Sequence, residues 1–122
     1  MESEACERLH DIFVPGLNKV IQFYIGKNAK HNNQIIDAAN DDDIWFHVKD
    51  LPSCHIIAVI PEDIIDKKDL RYIIKRGALL CKSRSKYASI KKLDIIYTHV
   101  KNIIKTKIEG TVITTNEKIV TI

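Results

Sequence analysis

Fifteen residues, DDIWFHVKDLPSCHI at 42–56, hold the only tryptophan of the chain, two of its five histidines and one of its three cysteines. Three chemistries suit these residue types. The first is a metal centre, with His47, Cys54 and His55 as ligands and a fourth drawn from His10, His31, His99, Cys6 or Cys81. Zinc sites usually announce themselves by paired spacings such as C-x2-C or H-x3-H, and none is present. Cys54 and His55 are also adjacent, so on a strand they point to opposite faces. The second is a Cys/His nucleophile pair. No acid stands where it would orient either imidazole, and no glycine-rich loop offers an oxyanion hole. The third is a binding stripe. Trp45, His47 and Lys49 alternate, so one strand face would carry an indole, an imidazole and an ammonium. Such a face stacks a base, at about 1–3 kcal/mol per base, and pairs a phosphate. A lone tryptophan on a strand is equally at home in a core, and period alone leaves the two readings even.

The elements that must position these residues follow from periodicity. NKVIQFYIGKN begins the ordered part, with a strand that ends at Gly26 and turns through Lys27-Asn28. A short helix over 33–39 and a charged turn at Asp41-Asp42-Asp43 come next. Residues 44–50 and 55–60 read as a strand pair joined by the turn DLPS. The second strand is nearly all apolar, as a central strand buried on both faces would be. Asp66 is an N-cap for the one main helix, at about 66–82, with Asp69 in its first turn where the macrodipole favours an acid. Leu70, Ile73, Ile74, Gly77, Ala78 and Cys81 recur at helical spacing as its buried stripe. Gly77 costs about 1 kcal/mol relative to alanine in a helix, which points to close packing against the sheet. A basic connection spans 82–92 and a strand spans 93–100. A lysine-bearing loop, a strand over 111–115, a tight TNEK turn and a last strand over 118–122 complete the chain. Strands, one main helix, then strands give an α+β fold with a mixed or antiparallel sheet.

With 122 residues, 45% of them hydrophobic, the chain is long enough for one domain with a real core. Three unspaced cysteines make no disulfide framework, so a reducing, intracellular, cytoplasmic setting is expected. The longest apolar run, IIAVI, is too short to span a bilayer, and MESEACERLHD lacks the basic flank of a signal peptide. The net charge of +3 conceals a segregation. Residues 1–66 carry 5 basic and 12 acidic side chains, whereas 67–107 carry 13 basic and 2 acidic. A field of that size takes polyanions as partners. Lys68, Arg71, Lys75 and Arg76 on the helix, Lys82, Arg84, Lys86, Lys91 and Lys92 after it, and Lys105 with Lys107 are the candidate phosphate contacts.

Several strings occur together and in order: IGKN at 25–28, Asn33, DDIWFHVKDLPSCHI, IIYTHV at 95–100 and KTKIEGTV at 105–112. Together they resemble the NFACT-R domain, the RNA-binding-type module of the NEMF/Caliban ribosome-quality-control proteins, and most of all its free-standing eukaryotic-type members. The resemblance covers 20–122, with 1–19 as an N-terminal extension. It assigns the family motif to Gly26, Lys27, Asn28, Trp45, His47, Lys49, Asp50, Pro52, His55, Lys105 and Gly110. Two departures stand out: Ser53-Cys54 replaces the family's Gly-Ser, and Thr106 replaces a proline. Losing the glycine removes a position free to adopt positive φ. The resemblance implies a non-catalytic module that binds RNA, either tRNA or ribosomal RNA, in translation or ribosome-associated quality control. No cofactor, metal or membrane is expected, since the histidine and cysteine spacings form no ligand set and no apolar run spans a bilayer. Trp45, His47, Lys49 and His55 would form the motif surface beside the basic residues. The rival readings are a protein-interaction module docking on the ribosome-associated machinery, a DNA-binding or DNA-sensing domain on the same basic face, and a small hydrolase or modifying enzyme.

Overall fold

The computed structural model describes residues 8–64 and 66–122. Cys6 lies outside them. Six strands form one sheet in the order β1-β2-β4-β3-β5-β8, and every neighbouring pair is antiparallel. They are β1 (Leu9–Val14), β2 (Lys19–Gly26), β3 (Ile44–Val48), β4 (His55–Ala58), β5 (Asp94–His99) and β8 (Lys118–Thr121). Strands β6 (Ile103–Lys105) and β7 (Val112–Thr114) make a separate two-stranded ribbon. Helices α1 (Ala29–Ala38) and α2 (Lys67–Ser83) complete the α+β fold. No helix among the described residues is long and apolar enough to cross a membrane.

Alternation along the strands splits the core in two. Ile44, Phe46, Val48, Ile56 and Ala58 face α2 and pack with Ile73, Ala78 and Cys81. Trp45 and Ile57 face the other way, onto Ile35 and Ile36 of α1 and onto Val100. Strand β4 is central and wholly buried, as its apolar run demands.

Helix α2 starts where its N-cap requires, since Asp66 Oδ1 accepts from the Lys68 amide at 2.7 Å. Gly77 sits so close to the Phe46 ring that a Cβ would overlap it. Helix α1 begins a turn earlier than the short apolar core of its sequence suggests. Asn28 caps it, accepting from the His31 amide at 2.9 Å. That hydrogen bond lets a polar first turn form, and the one side chain that turn buries, Asn32, is itself polar and hydrogen-bonded.

Two features depart from the sequence reading. The stretch read as extension contains β1, which pairs in register from Leu9↔Tyr24 to Val14↔Lys19. A turn with positive φ at Gly16 and Asn18 returns the chain. The last two strands form no hairpin with each other. Strand β7 pairs with β6, and β8 pairs with β5. Asn116, at φ 53, hands the chain from one sheet to the other.

Candidate nucleic-acid interface

Three turns that carry motif residues converge on one cleft of about 430 Å3. Lys27, Asn28 and Ala29 line it from the β2–α1 turn, Pro52, Ser53 and Cys54 from the β3–β4 turn, and Glu109, Gly110 and Thr111 from the β6–β7 turn. Arg84, Ser85 and Lys86 close it from beyond the end of α2. Three cations thus face one acid.

The convergence is held by small residues and amides. Gly26 leaves room for the Asn32 carboxamide, which a Cβ there would strike. Asn32 Oδ1 in turn accepts from the His55 amide at 3.3 Å. Gly110, at φ +80, lies against Ala29 and donates its N–H to Asn33 Oδ1 at 3.1 Å. The Gly110–Asn33 bond ties the β6–β7 turn to α1, and the His55–Asn32 bond ties β4 to it.

The departure at Ser53-Cys54 causes no strain. The positive φ of the β3–β4 connection falls on Asp50, and neither Ser53 nor Cys54 has one. Ser53 Oγ accepts from the Val48 amide at 3.1 Å and donates to the Cys54 carbonyl at 3.0 Å, pinning the turn from inside. Cys54 faces Cys81 of α2, each sulfur within 4.0 Å of the other residue's carbonyl oxygen. The hydrogen bond from the free Cys81 thiol holds Cys54 below the usual thiol range, and the nearby Arg84 charge acts the same way. The same contact, with burial, pushes Cys81 far up.

Beside the cleft lies a smaller pocket of about 270 Å3, lined by Trp45, His47, His55, Ile96, Gly110, Thr111, Val112 and Thr114. Trp45 Nε1–H donates to His55 Nδ1 at 3.1 Å. The His47 ring stacks on Trp45, with centroids 5.6 Å apart and planes 10° apart, and meets His55 edge-on at 5.2 Å. Burial pushes His55 down to about 3, helped by the neighbouring His47, and burial lowers His47 too. Both imidazoles are therefore neutral at pH 7.

This geometry corrects the stacking surface. Trp45 and His47 do share a strand face, but α1 and the β6–β7 ribbon cover it. Trp45 is 2% exposed and His55 3%, so neither offers a ring face to solvent. Lys49 lies past the end of β3, exposed and outside both pockets.

The basic residues divide as well. Arg84 and Lys86 join the cleft. Lys68, Arg71 and Lys75 are exposed along α2, and Arg76 is half-buried. Lys82 is committed, donating to the Ile122 carbonyl at 3.0 Å. Lys105 is paired with Asp37, and Lys107 is exposed beyond it. Lys27 was legible as part of the motif but not as a cleft cation, because its partners lie more than 50 residues away in sequence. Among the described residues, no three His, Cys, Asp or Glu side chains come together as a metal site would require.

A family model described as the NFACT protein RNA binding domain matches residues 13–119. Coiled-coil domain-containing protein 25 of Danio rerio is 30% identical over 84 residues, covering 68% of this chain and 41% of that protein. The solved C-terminal region of the fibronectin/fibrinogen-binding protein of Streptococcus suis superposes with a TM-score of 0.75 at 22% identity. That likeness covers 92% of this chain and 44% of the other, and it concerns the fold alone. The chain spans less than half the length of either relative.

Proposed function

Because the chain belongs to the NFACT RNA-binding domain family, we propose that it is a non-catalytic module for tRNA or ribosomal RNA, acting in the cytoplasm in ribosome-associated quality control. The observation that carries this reading is the cleft where Lys27, Arg84 and Lys86 meet. Lys27 lies more than 50 residues before Arg84 and Lys86 in the chain, and the turns that bring it to them hold much of the family motif. Phosphate is the ligand that such a cleft takes, because cations there displace the counterions of a nucleic-acid backbone. Backbone contacts of this kind position a ligand without reading its sequence. The RNA is therefore selected by shape or by its unpaired segments.

Titrating labelled tRNA against the protein at several KCl concentrations tests the reading. Three phosphate contacts give a log–log slope of roughly −2 to −3. Competition with duplex DNA of equal length should leave tRNA bound. A flat salt dependence, or duplex DNA displacing tRNA at equal concentration, would sink the RNA reading in favour of a protein-docking or DNA-binding one.

A further inference from the structure

The two histidines of the smaller pocket have fixed tautomers. The Val48 carbonyl can only accept, so the His47 Nδ1 that lies 2.6 Å from it carries the proton. Neutral His47 then has a bare Nε2, an acceptor. His55 Nδ1 receives the Trp45 indole N–H, so its proton is on Nε2, a donor. Neither Nε2 has a hydrogen-bond partner among the described residues. The rings meet edge-on with centroids 5.2 Å apart and both line the same pocket, so it is offered one uncommitted acceptor and one uncommitted donor. Neither Nε2 is sealed in the core as an orphan, so both keep accessible surface and can meet a ligand that enters the pocket.

Shape and charge narrow the ligand. The pocket carries no ionic side chain, and Ile96 and Val112 supply apolar walls. Its volume of about 270 Å3 lies just below the usual range of small-molecule sites, about 300–1,000 Å3. That is room for one planar ring system, not for a helix. Gly110 and Thr111 line both this pocket and the cationic cleft, so a phosphate in one is a short step from a ring in the other.

We infer that this pocket receives one unpaired nucleobase edge-on, with His47 Nε2 accepting from it and His55 Nε2–H donating to it, while the adjoining phosphate lies in the Lys27–Arg84–Lys86 cleft. The inference rests on the RNA reading above and adds where a base is held. Every base carries a donor next to an acceptor on its pairing edge, so the pocket takes any base. It refuses a paired one, whose edge is already used.

The test compares a 12-nucleotide single-stranded RNA with the blunt duplex of the same length. Binding is followed by polarisation and by the fluorescence of Trp45, the only tryptophan. The wild type binds the single strand better and Trp45 fluorescence changes. His47→Ala weakens single-strand binding about tenfold, in line with the loss of one base contact, and leaves duplex binding unchanged. Lys27→Ala and Arg84→Ala weaken both. Imidazole nitrogen spectra of the wild type guard against a His47→Ala variant that does not fold. The His47 and His55 Nε2 signals move on adding adenosine monophosphate and stay put with inorganic phosphate. If single strand and duplex bind alike and those signals do not move, the base pocket is wrong and the RNA reading stands. If neither RNA binds at all, the RNA reading falls and takes the pocket with it.

Discussion

Cys54 and His55 are neighbours in the chain and belong to opposite faces of the sheet. Cys54 meets Cys81 on the α2 side, and His55 meets Trp45 on the α1 side. Strand alternation made that divergence legible and dismissed a shared Cys/His centre. What alternation could not supply is which face is covered, because the cover comes from α1 and from a ribbon that begins only at Ile103. Burial sets the chemistry of His55 and carries a pH dependence. Its folded value is depressed to about 3 from an ordinary 6.5. Below pH 6.5 the unfolded chain takes up a proton that the folded chain refuses, so stability present above 6.5 is lost as pH falls towards 3. The slope is about 1.4 kcal/mol per pH unit for one proton, and His47, also lowered, adds in the same direction. Urea unfolding between pH 6.5 and 5, above the main carboxylate range, should show it. His55→Val should flatten the slope. It should also cost about 1–3 kcal/mol at pH 7 by stranding the Trp45 N–H. A wild type equally stable at pH 6.5 and 5 would contradict the buried neutral imidazole.

Helix α2 was the most legible element because cap, stripe and basic face all agree along one segment. Strand β1 was not, since a six-residue edge strand buries little and its sequence reads equally well as a tail. Strands β7 and β8 were found, but the tight turn between them joins no hairpin. A short turn between two strands normally makes a hairpin, and only the ribbon partner β6 and the free edge of β5 override that local preference. The glycine inside α2 turns legibility into a measurement. Alanine at 77 would gain about 1 kcal/mol of helix propensity. Its methyl would meet the Phe46 ring, and overpacking of that kind costs about 1–3 kcal/mol. Gly77→Ala is therefore expected to destabilise, against the propensity scale. Adding Phe46→Leu should recover part of the loss in a double-mutant cycle, because the two sites touch. A stabilised Gly77→Ala would show that the helix rides farther from the sheet.

Across the whole molecule, charge segregation was legible from counting, and which cations the fold brings together was not. The basic segment supplies two cleft residues, Arg84 and Lys86, while the third, Lys27, comes from the acidic half of the chain. Lys82 and Lys105 are spent on Ile122 and Asp37. Lys68, Arg71 and Lys75 remain as an exposed row on α2. Two triple alanine variants of equal charge separate the cleft from this row. Removing Lys27, Arg84 and Lys86 should reduce the salt slope for tRNA by about 2–3, because each lost phosphate contact leaves its counterion in place. Removing Lys68, Arg71 and Lys75 should weaken binding at low salt and matter little at 0.15 M, roughly where the Debye length falls to about 8 Å. That row then acts as long-range steering, seen in the association rate more than in the dissociation rate. Equal losses at physiological salt would mean that RNA lies along α2 and that the convergence of the three turns serves folding alone. A deeper loss in the cleft variant, with unchanged unfolding midpoints for both, would tie RNA binding to the cleft.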